Sequence, residues 1–172
     1  MSNTPTLVLM AGLPGTGKST LAYALAKTFG WVVIDKDLIH SAMLAKGSGK
    51  LESTLAAYEA ALALVKDLVE KQDRSVILDT AGRQPFILER SKEIVSQCGA
   101  RLKIIRCVAP KEVRMTRLSM RSRQLSQWSA DFTSDDEQEA WYTHLPNQLL
   151  VVQGDEPFEL CLNAAVEYLN RE

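Results

Sequence analysis

The sequence predicts an α/β protein in which one parallel sheet carries helices on both of its faces. Five short apolar runs are nearly continuous, at 6–11, 31–35, 75–79, 102–108 and 148–152, without the alternation of a half-exposed strand. Segments with helical periodicity lie between and after them, at 18–29, 38–45, 51–71, 86–97, 111–122 and 158–169. Strands that alternate with helices favour right-handed crossovers and a three-layer α/β/α architecture.

The helical segments are defined by apolar spacing and by the residues at their ends. The longest one repeats apolar side chains three or four positions apart, at Leu51, Leu55, Tyr58, Leu62, Val65 and Leu68, which predicts one buried face. Pro110 and Pro157 precede the last two segments, where proline is favoured at a first-turn position.

Length and composition indicate a single domain. The chain has 172 residues, of which 46% are hydrophobic and 24% charged, values typical of a globular protein and unlike a disordered or fibrous chain. We therefore expect residues 1–172 to form one domain.

The cysteines and the N-terminus predict a cytoplasmic protein. Cys98, Cys107 and Cys161 are widely spaced and odd in number, which is not the pattern of a zinc site or of a disulfide framework. The first apolar run is too short for a signal peptide, and no stretch reaches membrane-spanning length. We expect no membrane partner.

Charge is distributed unevenly along the chain. The net charge is -1, yet residues 101–123 contain eight Lys and Arg against Glu112 as the one acid, and residues 124–170 contain neither Lys nor Arg. A local basic element suits a small anion better than a long polyanion, which needs many spread contacts. A nucleic-acid partner is therefore not expected.

A glycine-rich connection between the first strand and the first helix carries the strongest signal. Its residues match G-x-x-x-x-G-K-[ST] at every fixed position, and they are Gly12, Leu13, Pro14, Gly15, Thr16, Gly17, Lys18 and Ser19. The glycines allow backbone N–H groups to converge on a phosphate at the helix N-terminus. Lys18 would bridge the β- and γ-phosphates and Ser19 would bind Mg²⁺; Thr20 follows at the start of the helix and is grouped with the nucleotide-binding residues.

Acidic residues end the second strand, in VVIDKDLIH. Since the carboxyl ends of parallel strands line the ligand crevice, we expect Asp35 and Asp37 beside the glycine-rich loop. Asp37 is predicted to be the general base that accepts the proton of an attacking hydroxyl, and Asp35 to contact the substrate. The structural alternative for Asp37 is the N-cap of the helix 38–45.

The third strand ends in SVILDTAGRQPF, which places Asp79 at another strand terminus. An acid there orients the metal in many phosphate-transferring proteins, so Ser19 and Asp79 are the predicted metal site. Thr80 could hydrogen-bond the substrate and Arg83 could reach a phosphate. The alternatives are a turn-initiating Asp79 and a solvent-facing Arg83.

Arginines of the segment 111–123 share one helix face at positions 114, 117 and 121. Guanidinium groups suit the charge of a transferring phosphoryl group, so Arg117 is predicted to contact nucleotide and Arg121 the γ-phosphate; an exposed face is the alternative. A capping box, Ser134 with Glu137, opens a short acidic helix farther on. We expect a lid at about 114–133.

Five segments together resemble a family of small P-loop kinases: GLPGTGKST, DKDLIH, VILDTAG, VRMTRLSMRSR and VVQGDEP. They occur in the order seen in polynucleotide 5'-hydroxyl kinase, chloramphenicol phosphotransferase, and gluconate and shikimate kinases. The likeness spans roughly residues 6–157 and is greatest to bacterial predicted kinases related to the polynucleotide kinase domain. Only the first segment is specific by itself.

The resemblance implies a five-stranded parallel sheet in the order 2-3-1-4-5 and ATP with Mg²⁺ as phosphoryl donor. It also implies that Asp37 is the base, that the arginine-bearing segment before residue 124 is the lid, and that Gly154 to Pro157 border adenine. The chain departs from the polynucleotide kinases at two positions: His40 replaces an arginine that holds the substrate's phosphate, and Ala81 replaces an asparagine.

These departures favour a small-molecule hydroxyl as the acceptor, with His40 in the substrate site. A polynucleotide 5'-hydroxyl kinase and a nucleotide-dependent switch are the alternatives. His40 and His144 are too few for a metal site. Trp31, Trp128 and Trp141 are interpreted as packing residues, although Trp128 could cover a bound ligand.

Overall fold

A computed structural model describes residues 4–120 and 140–171 of the chain. Its strands are β1 (Thr6–Ala11), β2 (Val32–Asp35), β3 (Val76–Asp79), β4 (Arg101–Val108) and β5 (Leu150–Gln153). Its helices are α1 (Lys18–Phe29), α2 (Lys36–Ala45), α3 (Lys50–Gln72), α4 (Pro85–Cys98), α5 (Lys111–Met120) and α6 (Phe158–Asn170). The predicted α/β class and the predicted alternation of strands and helices are confirmed.

The five strands form one sheet in the order β2-β3-β1-β4-β5, and every neighbouring pair is parallel. This is the order that the family resemblance implied. Because all strands are parallel, their carboxyl ends lie along one edge of the sheet. Asp35 and Asp79 end β2 and β3 there as register partners.

Both faces of the central strand β1 are buried, which explains why its sequence shows no alternation. Leu7 and Leu9 pack in a core with side chains from α3 and α4, whereas Val8 and Met10 pack in a second core with α1 and α6. Helices therefore cover the sheet on both faces, as the sequence predicted.

Several boundaries differ from the sequence prediction. The helix α2 begins at Lys36, two residues earlier than predicted, because Asp35 caps it. The strand β5 begins at Leu150 rather than at residue 148, where its pairing with Ile105 of β4 starts. Among the described residues, no helix is long and apolar enough to cross a membrane.

Candidate nucleotide and acceptor site

The glycine-rich loop leaves β1 and reaches α1 through three glycines with positive φ: Gly12 at 133°, Gly15 at 83° and Gly17 at 94°. L side chains rarely adopt these conformations. Space is limited as well, since a Cβ on Gly12 would overlap the Cys107 carbonyl oxygen. A Cβ on Gly15 would lie 2.8 Å from the carbonyl oxygen of Arg114 in α5. The loop therefore packs closely against β4 and α5.

Hydrogen bonds inside the loop converge on one carbonyl oxygen, that of Leu13. The buried Thr16 hydroxyl donates to it at 2.8 Å, and Lys18 Nζ donates to it at 3.1 Å. Gly17 caps α1 with no side-chain hydrogen bond to the first turn. The N–H groups in the first turn of a helix, together with a lysine held across the loop, are the arrangement that suits a phosphate.

A cavity of about 870 Å³ opens over this loop at the carboxyl edge of the sheet. The loop and α1 line one side of it with Leu13, Pro14, Gly15, Gly17, Lys18, Ser19 and Thr20. The predicted acceptor residues line the same cavity; they are Asp35, Asp37, His40, Asp79, Thr80 and Arg83. Residues from distant parts of the sequence therefore share one compartment.

Asp35, and not Asp37, is the N-cap of α2. Its Oδ1 accepts hydrogen bonds from the backbone N–H groups of Asp37 at 2.8 Å and Leu38 at 3.1 Å. The alternative role of Asp37 as a cap is therefore wrong, because Asp35 already occupies the extended backbone position before the helix. Burial is the main cause that raises the pKa of Asp35, and its two backbone hydrogen bonds oppose the rise.

Asp37 lies in the first turn of α2 with its side chain 40% exposed and forms an ion pair with the neighbouring Lys36. Lys36 is itself buried, and its Nζ lies 5.0 Å from the centre of the Tyr58 ring. Sequence reasoning missed Lys36, although a lysine between two acids at a strand end is the signal that could have found it. The pair fixes the Asp37 carboxylate at the cavity wall.

Asp79 is buried at the floor of the cavity beside Thr80, which is also buried. Desolvation raises the pKa of Asp79 to about 6, against the lowering effect of Lys18 and of a hydrogen bond from Ser19. Its Oδ2 is buried and has no hydrogen-bond partner in the described part of the chain.

An unpartnered carboxylate oxygen beside a serine hydroxyl suits Mg²⁺, which prefers oxygen ligands. Among residues 4–120 and 140–171, no three His, Cys, Asp or Glu side chains form a metal site of their own. Ser19 and Asp79 therefore fit an ion that takes its remaining ligands from phosphate oxygens and water.

His40 is buried, and its ring is held by α3. The hydroxyls of Ser53 and Thr54 donate to the Lys50 carbonyl oxygen, so their oxygens accept from His40 Nε2 at 3.0 and 3.2 Å. Desolvation and then Lys36 lower the pKa of His40, which favours the neutral imidazole. Nδ1 is buried without a hydrogen-bond partner among the described residues.

Aromatic side chains that the sequence reasoning did not assign to the site also line the cavity. Tyr58 and Phe86 form an edge-to-face pair with ring centres 5.5 Å apart. Trp141 lines the cavity as well, with the Arg83 guanidinium 5.2 Å from its ring centre. No local sequence signal marks these rings, because their periodicity matches that of core residues. Trp31, in contrast, stacks on Phe29 as a packing residue.

Arg117 joins three parts of the site. Its Nη1 donates to the Gly15 carbonyl oxygen at 3.3 Å and its Nη2 to the Gly154 carbonyl oxygen at 2.7 Å. Gly154 follows β5 and has no room for a side chain, since a Cβ would overlap the Thr16 carbonyl oxygen. The loop after β5 therefore lies directly against the phosphate-binding loop.

The basic segment 101–123 is not one surface. Within its described part, Arg114 and Arg117 line the cavity; Arg114 is buried, with Nε donating to the Ala109 carbonyl oxygen at 3.2 Å. Lys103 and Arg106 of β4 instead lie over the rings of Tyr168 and Tyr142. The predicted residues Arg121, Arg123, Trp128, Ser134 and Glu137, and most of the predicted lid, lie outside the described residues.

Comparison with known proteins identifies a family and several similar folds. A family model described as an AAA domain matches residues 7–145, and no curated protein matches the chain. A candidate kinase from Chloroflexus aurantiacus J-10-fl has a similar structure, with a TM-score of 0.75 at 24% identity over 97% of both chains.

Two further solved structures are similar over nearly the whole chain. A sugar kinase from Janibacter sp. HTCC2649 has a TM-score of 0.70 at 19% identity, over 98% of this chain and 95% of the other. The APS kinase of Mycobacterium tuberculosis, solved with AMPPNP and APS, has a TM-score of 0.67 at 13% identity, over 98% and 99%. At these identities the likeness shows the fold, which is that of small P-loop kinases.

Proposed function

The chain belongs to the AAA domain family, and from this premise we propose that it is a kinase that transfers the γ-phosphate of ATP to a hydroxyl group of a small molecule. One observation carries the proposal. The phosphate-binding loop and the Asp37 carboxylate line the same cavity of about 870 Å³, so a nucleotide and a hydroxyl compound can be held side by side.

The nucleotide side consists of the loop residues 12–19, with Thr20, Arg117 and Gly154 at its margin. Lys18 is placed to exchange its bond with the Leu13 carbonyl oxygen for phosphate oxygens. Mg²⁺ held through Ser19 and Asp79 would neutralise charge on the β- and γ-phosphates. The loop after β5, bordering the same region, is proposed to contact adenine.

The cavity residues that face the phosphate acceptor are proposed to take up the hydroxyl proton. The acceptor oxygen forms a bond to the γ-phosphorus, the bond from that phosphorus to the bridging oxygen of ADP breaks, and the hydroxyl proton passes to the Asp37 carboxylate. Asp35 has one oxygen committed to the helix cap, which favours Asp37 as the base. Asp35, His40, Asp79, Thr80 and Arg83 are proposed to orient the acceptor, and Arg121 to stabilise charge on the transferred phosphate.

The names of the structural relatives favour a small acceptor. One is called a sugar kinase, and another is an APS kinase solved with AMPPNP and APS. A polynucleotide acceptor is not favoured, because residues 124–170 supply no Lys or Arg to follow a phosphate backbone. Three free cysteines fit a reducing, cytoplasmic compartment.

Two measurements on the purified chain test the proposal. Calorimetry with ATP and Mg²⁺ should show binding that Lys18→Ala weakens and Lys27→Ala, an exposed lysine on the same helix, leaves unchanged. Incubation with γ-labelled ATP and a panel of metabolites, phenicol and aminoglycoside antibiotics and short oligonucleotides should then label a small hydroxyl compound. Absence of ATP binding, or ATP binding with nucleotide hydrolysis and no labelled acceptor, would refute the kinase assignment.

A further inference from the structure

The helix α3 carries an apolar face that continues past the core and over the cavity. Leu62 and Val65 are buried in the core beneath it. Leu51 and Leu55 occupy the same face nearer the start of the helix and line the cavity, yet they are 76% and 55% exposed. The apolar repeat of α3, which the sequence predicted to be buried, therefore ends in two leucines that the described residues do not cover.

Aromatic rings continue this apolar wall. Tyr58 follows Leu55 by three positions and meets Phe86 edge to face, and Trp141 lines the cavity from the segment before β5. Exposed leucines beside aromatic rings in a concave site bind an apolar or aromatic body well, because such a ligand removes their surface from water.

The polar groups of the same region are largely bonded to one another. The Ser53 and Thr54 hydroxyls donate to the Lys50 carbonyl oxygen while they accept from His40. Lys36 is paired with Asp37. A polyhydroxylated compound needs a partner for each buried hydroxyl, whereas the Ser53, Thr54 and Lys36 side chains are already engaged with other described residues.

We propose that the acceptor is a hydroxyl compound with an aromatic or extended apolar body, which lies against Leu51, Leu55 and Tyr58 while its hydroxyl faces Asp37. This inference rests on the proposed kinase function. It assigns the acceptor class from the wall of the cavity, and it predicts that a free sugar is a poor ligand.

A matched pair of probes isolates the contribution of the ring. Phenyl β-D-glucoside and methyl β-D-glucoside carry the same sugar hydroxyls and differ in the aromatic group. With the protein saturated with ADP and Mg²⁺, ligand-observed NMR should show that the phenyl compound binds about tenfold more tightly or better.

Substitutions on α3 connect that preference to the wall. Leu51→Ser and Leu55→Ser should each reduce the phenyl-to-methyl affinity ratio, and the double substitution should bring it close to one. Leu64→Ser is the matched control, because Leu64 is an exposed leucine on the same helix that does not line the cavity. It should leave the ratio unchanged.

The outcomes separate this inference from the proposed function. Three results would overturn the acceptor class while leaving ATP binding and phosphoryl transfer intact. They are equal affinities for the two glucosides, no binding of either at millimolar concentration, and an affinity ratio that the α3 substitutions do not change. Loss of ATP binding itself would instead contradict the kinase assignment.

Discussion

Arg117 Nη2 donates a hydrogen bond of 2.7 Å to the carbonyl oxygen of Gly154, joining α5 to the loop that follows β5. Through Nη1 the same guanidinium reaches the carbonyl oxygen of Gly15 in the phosphate-binding loop. A planar group with several donors can hold two carbonyls in fixed relative positions, which a lysine ammonium does less well. Arg117 therefore links the two loops that border the proposed nucleotide site.

Removing this guanidinium should weaken nucleotide binding. Arg117→Ala is expected to raise the KM for ATP about tenfold, since two charge-assisted hydrogen bonds are lost. Arg117→Lys should have a KM between those of the unsubstituted protein and Arg117→Ala. Arg90→Ala is the control, because Arg90 forms surface ion pairs, at 3.8 and 3.7 Å, with Glu59 and Glu93. An unchanged KM in Arg117→Ala would show that the residue has no part in nucleotide binding.

The two acids at the start of α2, the cap Asp35 and the first-turn residue Asp37, should respond differently to substitution by asparagine. Asp37→Asn is expected to lower kcat by about 10²- to 10⁴-fold through loss of the base, with ATP affinity retained in calorimetry. Asp35→Asn keeps an oxygen that can cap the helix, and asparagine is as good an N-cap as aspartate. Asp35→Asn should therefore retain the stability of the protein and reduce kcat less than Asp37→Asn does. Equal loss of kcat in both variants would contradict the assignment of Asp37 as the base.

Asp79 should destabilise the metal-free protein at neutral pH. Burial raises its pKa from 3.8 to about 6, so the folded protein binds this proton more tightly than the unfolded chain. Stability therefore rises as pH falls from above 6 towards 3.8, and above pH 6 the buried charge costs up to about 3 kcal/mol. Asp79→Asn removes this cost but also removes a proposed metal contact.

Thermal unfolding in EDTA tests this prediction. Asp79→Asn should raise Tm by several degrees at pH 8, and the gain should shrink as the pH is lowered towards 4. The variant should nevertheless lose Mg²⁺-dependent turnover. Asp155→Asn, at an exposed position after β5, serves as control and should shift Tm little. If Asp79→Asn raised Tm equally at pH 8 and pH 4, burial of the charged Asp79 carboxylate would not be the cause of the destabilisation.

Close packing at Gly154 should make a single methyl group costly. Gly154→Ala places a Cβ against the Thr16 carbonyl oxygen, which is backbone and cannot rotate away. We expect a loss of about 1 to 3 kcal/mol in the free energy of unfolding and weaker ATP binding. At Gly49 the new Cβ would meet only the flexible Glu52 carboxylate, at 3.5 Å. Chemical denaturation of both variants should therefore show the larger loss for Gly154→Ala.

The order of the residues alone predicts the class of the fold and the position of the glycine-rich loop. Strands buried on both faces must be largely apolar, as β1 is from Leu7 to Ala11, and glycines at 12, 15 and 17 are required where φ is positive. These constraints act between near neighbours in the chain, so they are visible in the order of residues. Asp35 and Asp79 were placed at one edge for the same reason, because parallel strands end together.

Which helix face is covered, and which acid caps α2, depends instead on packing between distant parts of the chain. Leu51 and Leu55 belong to the same three- or four-residue repeat as the buried Leu62 and Val65. Periodicity shows that a face is apolar but not what lies opposite it, since that depends on where the sheet ends and the cavity opens. The cap of α2 likewise depends on the backbone at Asp35, with φ -90° and ψ 107°, and the burial of Lys36 depends on Tyr58, a residue of another helix brought close by folding.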